Sequence, residues 1–182
     1  AYDIRVRLVG SEMCIRDRIY TGWLKRNTPQ NIVIGGAAGA IPPMVGWAAV
    51  TGSIDLPAVY LFTIIFFWTP PHFWALSLMI QDDYKAAGVP MLPVVAGEKR
   101  TTQNIFIYSL ALVGLTLLFS FSNAVGLIYL GSAATLGAYF IYLAWKLLQD
   151  YNVRNAKYLY LFSLLYLALL FAVMLPDSVF HY

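Results

Sequence analysis

The sequence predicts an all-α membrane protein with five transmembrane helices, and two observations lead to this class. The chain has 182 residues, of which 60% are hydrophobic and 12% charged, whereas a soluble domain carries about 25% charged residues. Five apolar windows approach the length of about 20 residues that crosses a bilayer. The sequence lacks the short alternating strands that a transmembrane barrel requires. Since helices satisfy their own backbone groups in lipid, the predicted class is a polytopic helical bundle.

The five predicted spans cover residues 31–50, 56–80, 104–122, 124–145 and 158–175. In the first span, Gly35 and Gly39 have the GxxxG spacing that lets another helix approach closely. Pro42-Pro43 follows, and we expect it to kink or break this helix near its middle. Residues 81–103 are too long for a simple turn and too apolar for a flexible linker, so we expect an ordered lid or re-entrant cap there.

The lysines and arginines predict how the bundle is oriented. Those that follow residue 18 all fall on one side of the predicted spans: Lys25, Arg26, Lys85, Lys99, Arg100, Lys146, Arg154 and Lys157. The connections at 51–55 and 123 and the tail at 176–182 contain none. By the positive-inside rule the basic side is cytoplasmic and the C-terminus lies on the outer face.

Residues 1–18 differ from the rest of the chain, with four arginines and no apolar run of span length. Two interpretations remain open. The segment is either a short solvated or interfacial stretch, or foreign sequence joined to a fragment by a cloning or assembly error. It holds Cys14, the single cysteine, which excludes an intrachain disulfide framework. We assign these residues no function and find no secretory signal peptide in them.

His72 is an ionisable side chain deep within a predicted span. It follows Pro70-Pro71 in the aromatic stretch FWTPPHFW and lies roughly 13 Å from the end of the span, at 1.5 Å per residue. An ionisable residue at such depth usually faces a cavity and has a function. Contact with haem, proton transfer and a structural bond to a neighbouring helix are all compatible with this position.

Carboxylates and cations gather on the predicted cytoplasmic side. Carboxylates beside cationic side chains suit a diphosphate bridged by Mg²⁺, which prefers one or two carboxylates together with phosphate oxygens. Ordinary loop charges that only fix the topology would give the same pattern. The residues concerned are Asp82, Asp83, Lys25, Arg26, Lys99 and Arg100.

Two strings give the chain a family resemblance, YTGWLKRNTPQNIVIGGAAGAIPPMVGW and WTPPHFWALSLMIQDDYKAAGVPMLPVVAGEKRT. From about residue 19 onward the sequence resembles the haem O synthases (protoheme IX farnesyltransferases), a branch of the UbiA superfamily of intramembrane prenyltransferases. The resemblance implies nine helices around a cavity. It also implies farnesyl transfer from farnesyl diphosphate to a vinyl group of haem B, with water adding, to give haem O. Haem O serves terminal oxidases directly or as the precursor of haem A.

The resemblance also implies roles for individual residues. Asp82 and Asp83 match the second acidic motif, which holds Mg²⁺-diphosphate, although the usual spacing of two aspartates is not kept because Ala87 stands four residues after Asp83. Lys25 matches a diphosphate contact, and the neighbouring Arg26 is a weaker candidate. His72 matches a histidine of the haem-using branch. The resemblance thus implies that His72 and Asp83 are candidate catalytic residues.

One departure concerns the family's first acidic motif, NxxxDxxxD, which does not occur in the chain. We therefore expect a C-terminal fragment that carries the fifth to ninth spans in residues 19–182, preceded by a non-family segment at 1–18, and inactive alone. Expected partners are the lipid bilayer, farnesyl diphosphate, haem B, and haem A synthase or oxidase assembly factors; nucleic acid is not among them. The expected location is a bacterial inner membrane with the active face cytoplasmic. Alternatives are a prenyltransferase for a quinone or chlorophyll precursor and a non-enzymatic helical bundle.

Overall fold

The computed structural model describes residues 31–122 and 124–180, and within them the regular structure is entirely helical. The helices are α1 (Asn31–Thr51), α2 (Leu56–Met79), α3 (Gln81–Ala86), α4 (Leu92–Ala96), α5 (Glu98–Phe119), a 3₁₀ turn (Ser120–Ser122), α6 (Leu127–Gln149) and α7 (Val153–Phe180). Five of them are long and apolar enough to cross a membrane. The predicted class of an all-α membrane protein with five spans is confirmed.

Four of the long helices close into a ring. Helix α2 packs against α5 and α7, and α6 packs against the same two helices on the other side, while α1 packs mainly on α2 from outside the ring. The ring interior is aromatic in one half, where Tyr129, Phe140 and Tyr166 are fully buried. Phe140 and Tyr166 bring their ring centroids to 5.1 Å across the α6–α7 contact. Burial of these large rings stabilises the contact of α6 with α7.

The contact between α1 and α2 depends on a different glycine from those predicted. A Cβ on Gly36 would lie 3.1 Å from Thr69 Cβ, whereas the same position on Gly39 meets no atom within 4 Å among the described residues. The close approach to α2 is therefore at Gly36, and the expectation that Gly35 and Gly39 let another helix approach closely stays a prediction. Helix α1 continues through Pro42-Pro43, so of the expected kink or break the break does not occur, and the kink stays a prediction.

The segment between the second and third spans is ordered, as predicted, but shorter. It contains α3 and α4, and α5 begins at Glu98 rather than near residue 104. Gly97 precedes α5 with a φ of +80°, a backbone conformation that favours glycine. The hydroxyl of Thr101 bonds back to the Gly97 carbonyl at 2.8 Å, so this polar turn joins the helix. Helix α7 likewise exceeds the predicted 158–175, because its first polar turns are helical as well.

The two ends of the bundle differ in charge. At one end, Trp47 Nε1 and Ser53 Oγ donate to Asp55 at 3.2 and 2.9 Å, and the Gly126 N–H donates to the Asp177 carboxylate. This end has no lysine or arginine among the described residues. The lysines and arginines of the described ranges all lie within a few residues of the helix ends on the other side: Lys85, Lys99, Arg100, Lys146, Arg154 and Lys157.

Candidate functional site

The His72 imidazole is buried between two aromatic rings at the contact of α2 and α7. Trp68, one turn earlier on α2, stacks on it with centroids 4.4 Å apart and planes at 17°. Tyr160 of α7 stacks on the opposite face at 4.7 Å and 24°, and the ring of Phe73 lies nearly perpendicular to the imidazole at 5.2 Å. The residue is only 6% exposed. Because α2 ends at Met79, His72 lies roughly 10 Å from the helix end, somewhat less deep than the predicted 13 Å.

A hydrogen-bonded network joins the same residues across the two helices. His72 Nδ1 lies 2.7 Å from Ser163 Oγ, and Ser163 Oγ lies 2.6 Å from the Tyr160 carbonyl oxygen. The indole N–H of Trp68 donates to the Ser163 carbonyl at 2.8 Å. Buried polar groups in a helix bundle are costly unless paired, so this network stabilises one arrangement of α2 against α7.

Helical spacing explains why these side chains meet. Trp68 and His72 are four residues apart on α2, and Tyr160 and Ser163 are three apart on α7, so each pair shares one helix face. The two faces oppose each other because α2 and α7 are neighbours in the ring. Helix α2 therefore contributes Trp68, His72 and Phe73, and α7 contributes Tyr160 and Ser163. These five residues are called here the aromatic His72 pocket.

A second cluster lies at the basic end of the bundle. The amide of Gln81, at the start of α3, donates to Glu98 Oε1 at 3.1 Å, which joins the starts of α3 and α5. Tyr151, between α6 and α7, donates to the Leu78 carbonyl at 3.4 Å. Partial burial, followed by the negative charges of Glu98 and Asp82, raises the pKa of the Tyr151 phenol above its usual value. Connections from three parts of the ring thus meet beside Glu98.

Asp82 and Asp83 lie in the first turn of α3, directly after Gln81, and both are exposed. Lys85 Nζ lies 3.4 Å from Asp82 Oδ1, but the Asp82 side chain is 94% exposed, so this ion pair is weak. The described residues provide Asp83 with no ion pair. Both carboxylates are therefore accessible to a ligand.

Lys99 and Arg100 lie in the first turn of α5, directly after Glu98, and are exposed. Because the Gln81–Glu98 bond joins the starts of α3 and α5, these cations stand at the same end as the two aspartates. The structure thus brings Asp82, Asp83, Lys99 and Arg100 to one end of the bundle, called here the mouth. It places His72 deeper, between α2 and α7. Lys25 and Arg26 lie outside the described residues.

The carboxylates at the mouth suit a magnesium site that substrate oxygen atoms complete better than a site formed by protein ligands alone. Among residues 31–122 and 124–180, no group of three His, Cys, Asp or Glu side chains could hold a metal ion. Asp82 and Asp83 supply hard, accessible oxygen atoms, and Mg²⁺ is commonly bound by one or two carboxylates together with substrate phosphates. The residues fit such a site, and magnesium itself stays a prediction.

Several residues of the two clusters were not singled out from the sequence. Ser163 is a polar residue inside the apolar run LYLFSLLYLALL, and its position within a span was the available signal. Gln81, Glu98 and Tyr151 gave no comparable signal. They are far apart along the chain, and each stands among other polar residues near a helix end.

Comparisons with known proteins give the family and relatives of the chain. Residues 14–175 match the UbiA prenyltransferase family. Protoheme IX farnesyltransferase of Parvibaculum lavamentivorans is 56% identical over 167 residues, which cover 88% of this chain and 52% of that protein. The protein of the same name from Gloeobacter violaceus is 58% identical over 89% of this chain and 53% of its own length. The chain spans about half the length of these curated relatives. No solved structure matches it.

Proposed function

Because the chain belongs to the UbiA prenyltransferase family, we propose that it acts in farnesyl transfer to haem B. In this reaction the C1–O bond of farnesyl diphosphate breaks, a carbon–carbon bond forms to a vinyl group of the porphyrin, and water adds. The products are haem O and diphosphate. The observation that carries the proposal is the 56–58% identity to two proteins named protoheme IX farnesyltransferase over nearly nine-tenths of the chain.

The mouth of the bundle would bind the diphosphate. Lys99 and Arg100 are exposed cations at the same end as Asp82 and Asp83, and cations oppose the negative charge that grows on the departing diphosphate. Lys25 and Arg26 are further candidates from the sequence. Asp82 and Asp83 would hold Mg²⁺ through their carboxylates, and the bound ion would supply Lewis-acid stabilisation of the leaving group.

The aromatic His72 pocket would stand beside the reacting carbons. Its stacked rings leave His72 only 6% exposed, and a dry environment limits attack of water on a developing allylic cation. Electron-rich aromatic faces also stabilise nearby positive charge. We assign His72 a role next to the porphyrin, with its imidazole held in place by Ser163.

The chain is an integral membrane protein by its five apolar helices and its family. We propose further that it resides in a bacterial inner membrane with the mouth on the cytoplasmic side. The support is the charge distribution, since every lysine and arginine of the described ranges lies at the end that carries Asp82 and Asp83.

A chimera tests the proposed activity. The half of the Parvibaculum lavamentivorans relative that matches this chain is exchanged for the matching residues of this chain, and membranes are supplied with farnesyl diphosphate, haem B and Mg²⁺. We expect haem O, identified by its mass. Asp83→Asn should reduce its formation and raise the Mg²⁺ concentration required, because one ligand oxygen is lost. Asp150→Asn is the matched control, since Asp150 is an exposed carboxylate at the same end that is outside the proposed site.

The acceptor is tested with the same membranes. Farnesylation of an aromatic quinone precursor, with haem B left unchanged, would refute haem B as the substrate and support another prenyltransferase of this family. A chimera that inserts into the membrane and binds neither substrate would refute the enzymatic assignment.

A further inference from the structure

The contacts of Ser163 in the aromatic His72 pocket restrict which of the contacting atoms can carry a proton. Its Oγ makes two short contacts, one of 2.6 Å to the Tyr160 carbonyl oxygen and one of 2.7 Å to His72 Nδ1. Both distances are typical of hydrogen bonds. A serine hydroxyl has one proton to donate and lone pairs to accept with.

The carbonyl oxygen decides how this proton is used. A carbonyl can only accept, so the contact between Ser163 and the Tyr160 carbonyl needs the serine proton. Without that proton, two oxygen atoms would face each other at 2.6 Å with lone pairs only. The second contact must then receive its proton from the imidazole, with Nδ1–H as the donor and Ser163 Oγ as the acceptor.

A neutral imidazole carries one proton, on either nitrogen. From the proton count we infer that Ser163 is a positioning residue that holds His72 as the Nδ1–H tautomer, so that Nε2 presents its lone pair to the site. The consequence for substrate rests on the proposed function: a lone pair at Nε2 can accept a proton or bind an electron-poor centre of the porphyrin, and an N–H there could do neither.

The surroundings of Nε2 agree with this role. Among the described residues, the hydrogen bond of the imidazole is at Nδ1, and none is present at Nε2. The stacked rings of Trp68 and Tyr160 cover both faces of the imidazole, so the ring edge is the side on which a ligand can approach.

Trp68 adds a hydrogen bond to the backbone of Ser163. Its indole N–H donates to the Ser163 carbonyl at 2.8 Å, which couples α2 to the same turn of α7 that carries the hydroxyl. The imidazole is thereby held at three points: stacking on each face and one bond at Nδ1. Rotation that would exchange its two nitrogens would lose the Nδ1 bond.

Nitrogen NMR tests the tautomer directly in the whole chain. The sequence has two histidines, so His181→Gln leaves the His72 signals alone. In ¹⁵N-histidine-labelled protein in lipid nanodiscs at pH 8, above the usual pKa of about 6.5 for histidine, we expect a protonated Nδ1 and an unprotonated Nε2. A proton on Nε2, alone or together with one on Nδ1, overturns the inference.

Variants separate the role of Ser163 from general packing. Ser163→Ala should shift the tautomer ratio toward Nε2–H by about fivefold or more, the equivalent of one hydrogen bond of about 1 kcal/mol, whereas Ser163→Thr retains the hydroxyl and the ratio. Ser109→Ala is the control, because Ser109 is a buried serine whose hydroxyl, among the described residues, bonds to the Ile105 carbonyl of its own helix alone. An unchanged ratio in Ser163→Ala refutes the positioning role.

The functional consequence is measured separately in the chimera. Ser163→Ala should raise the KM for haem B and leave the KM for farnesyl diphosphate unchanged. The NMR result needs neither substrate, so it can fail while farnesyl transfer succeeds, or hold while farnesyl transfer fails. Equal effects on both KM values would refute the link to the porphyrin.

Discussion

Gly137 determines how closely α5 and α6 approach, and its replacement by alanine is a sharp test of the ring. A Cβ at this position would lie 2.6 Å from Val113 Cγ1 and 3.3 Å from Cγ2. The first distance is roughly 1 Å inside the favourable carbon–carbon separation of about 3.5 Å. Val113 is buried and β-branched, and such a side chain in a helix has essentially one χ1 rotamer, so it cannot turn away.

Two opposing contributions determine how much Gly137→Ala changes the free energy of unfolding. Overpacking a well-filled contact costs about 1–3 kcal/mol, and replacing glycine by alanine within a helix returns up to about 1 kcal/mol. Gly131→Ala is the matched control, because Gly131 lies on the same helix and its added Cβ meets no atom within 4 Å among the described residues. We expect Gly137→Ala to be less stable than Gly131→Ala by about 1–3 kcal/mol, since the control has only the favourable term.

The assay is unfolding of the chain in mixed micelles by a denaturing detergent, followed by circular dichroism. Val113→Ala combined with Gly137→Ala should relieve the clash, with a favourable coupling of about 0.5–3 kcal/mol between the two sites. Equal stability of Gly137→Ala and Gly131→Ala, or additive effects of Gly137→Ala and Val113→Ala, would refute the close approach of α5 and α6.

Two further predictions concern buried and partly buried phenols. Thr116 Oγ1 donates to the Val113 carbonyl of its own helix and accepts from the Tyr166 hydroxyl at 3.0 Å. Thr116→Val leaves the buried Tyr166 hydroxyl without an acceptor and should lower the free energy of unfolding by about 1–3 kcal/mol. Tyr166→Phe should lower it less, and the reverse order in detergent unfolding would contradict this. Because the pKa of Tyr151 is raised in the folded protein, the unfolded chain loses its phenolic proton first, and stability should fall as the pH rises above about 10. Tyr151→Phe should lessen that fall, and an identical pH dependence would show that Tyr151 is not its source.

The class and the number of spans could be predicted because they depend on composition and on the length of apolar runs. The ends of the helices were less accurate. Glu98 and Val153 begin helices earlier than predicted, since polar residues that leave the apolar core still continue a helix into the interface. Of the kink or break expected at Pro42-Pro43, the break is absent, because a proline pair can be accommodated within a continuous helix.

The site could be predicted only in part. His72, Asp82 and Asp83 each carry a chemical signal in the sequence, and the structure places the histidine in a buried pocket and the aspartates at an accessible mouth. The partners of His72 could not be predicted, since Ser163 is 91 residues away and reaches it only because α2 and α7 are neighbours. Such pairings depend on the order of helices in the ring, which periodicity within one helix does not contain.

The most direct test compares two variants of the chimera. For each variant it measures whether the use of haem B or the use of farnesyl diphosphate is impaired. His72→Ala should lower kcat/KM for haem B at least about tenfold, about 1.4 kcal/mol, while the KM for farnesyl diphosphate stays unchanged. Asp83→Asn should raise the KM for farnesyl diphosphate and the Mg²⁺ requirement and leave the KM for haem B unchanged. This separation is predicted because His72 lies in the pocket between α2 and α7 and Asp83 at the mouth. Equal effects of both variants on the two substrates, or haem O formation by His72→Ala at the parent rate, would contradict a porphyrin site at His72 that is separate from a diphosphate site at Asp83.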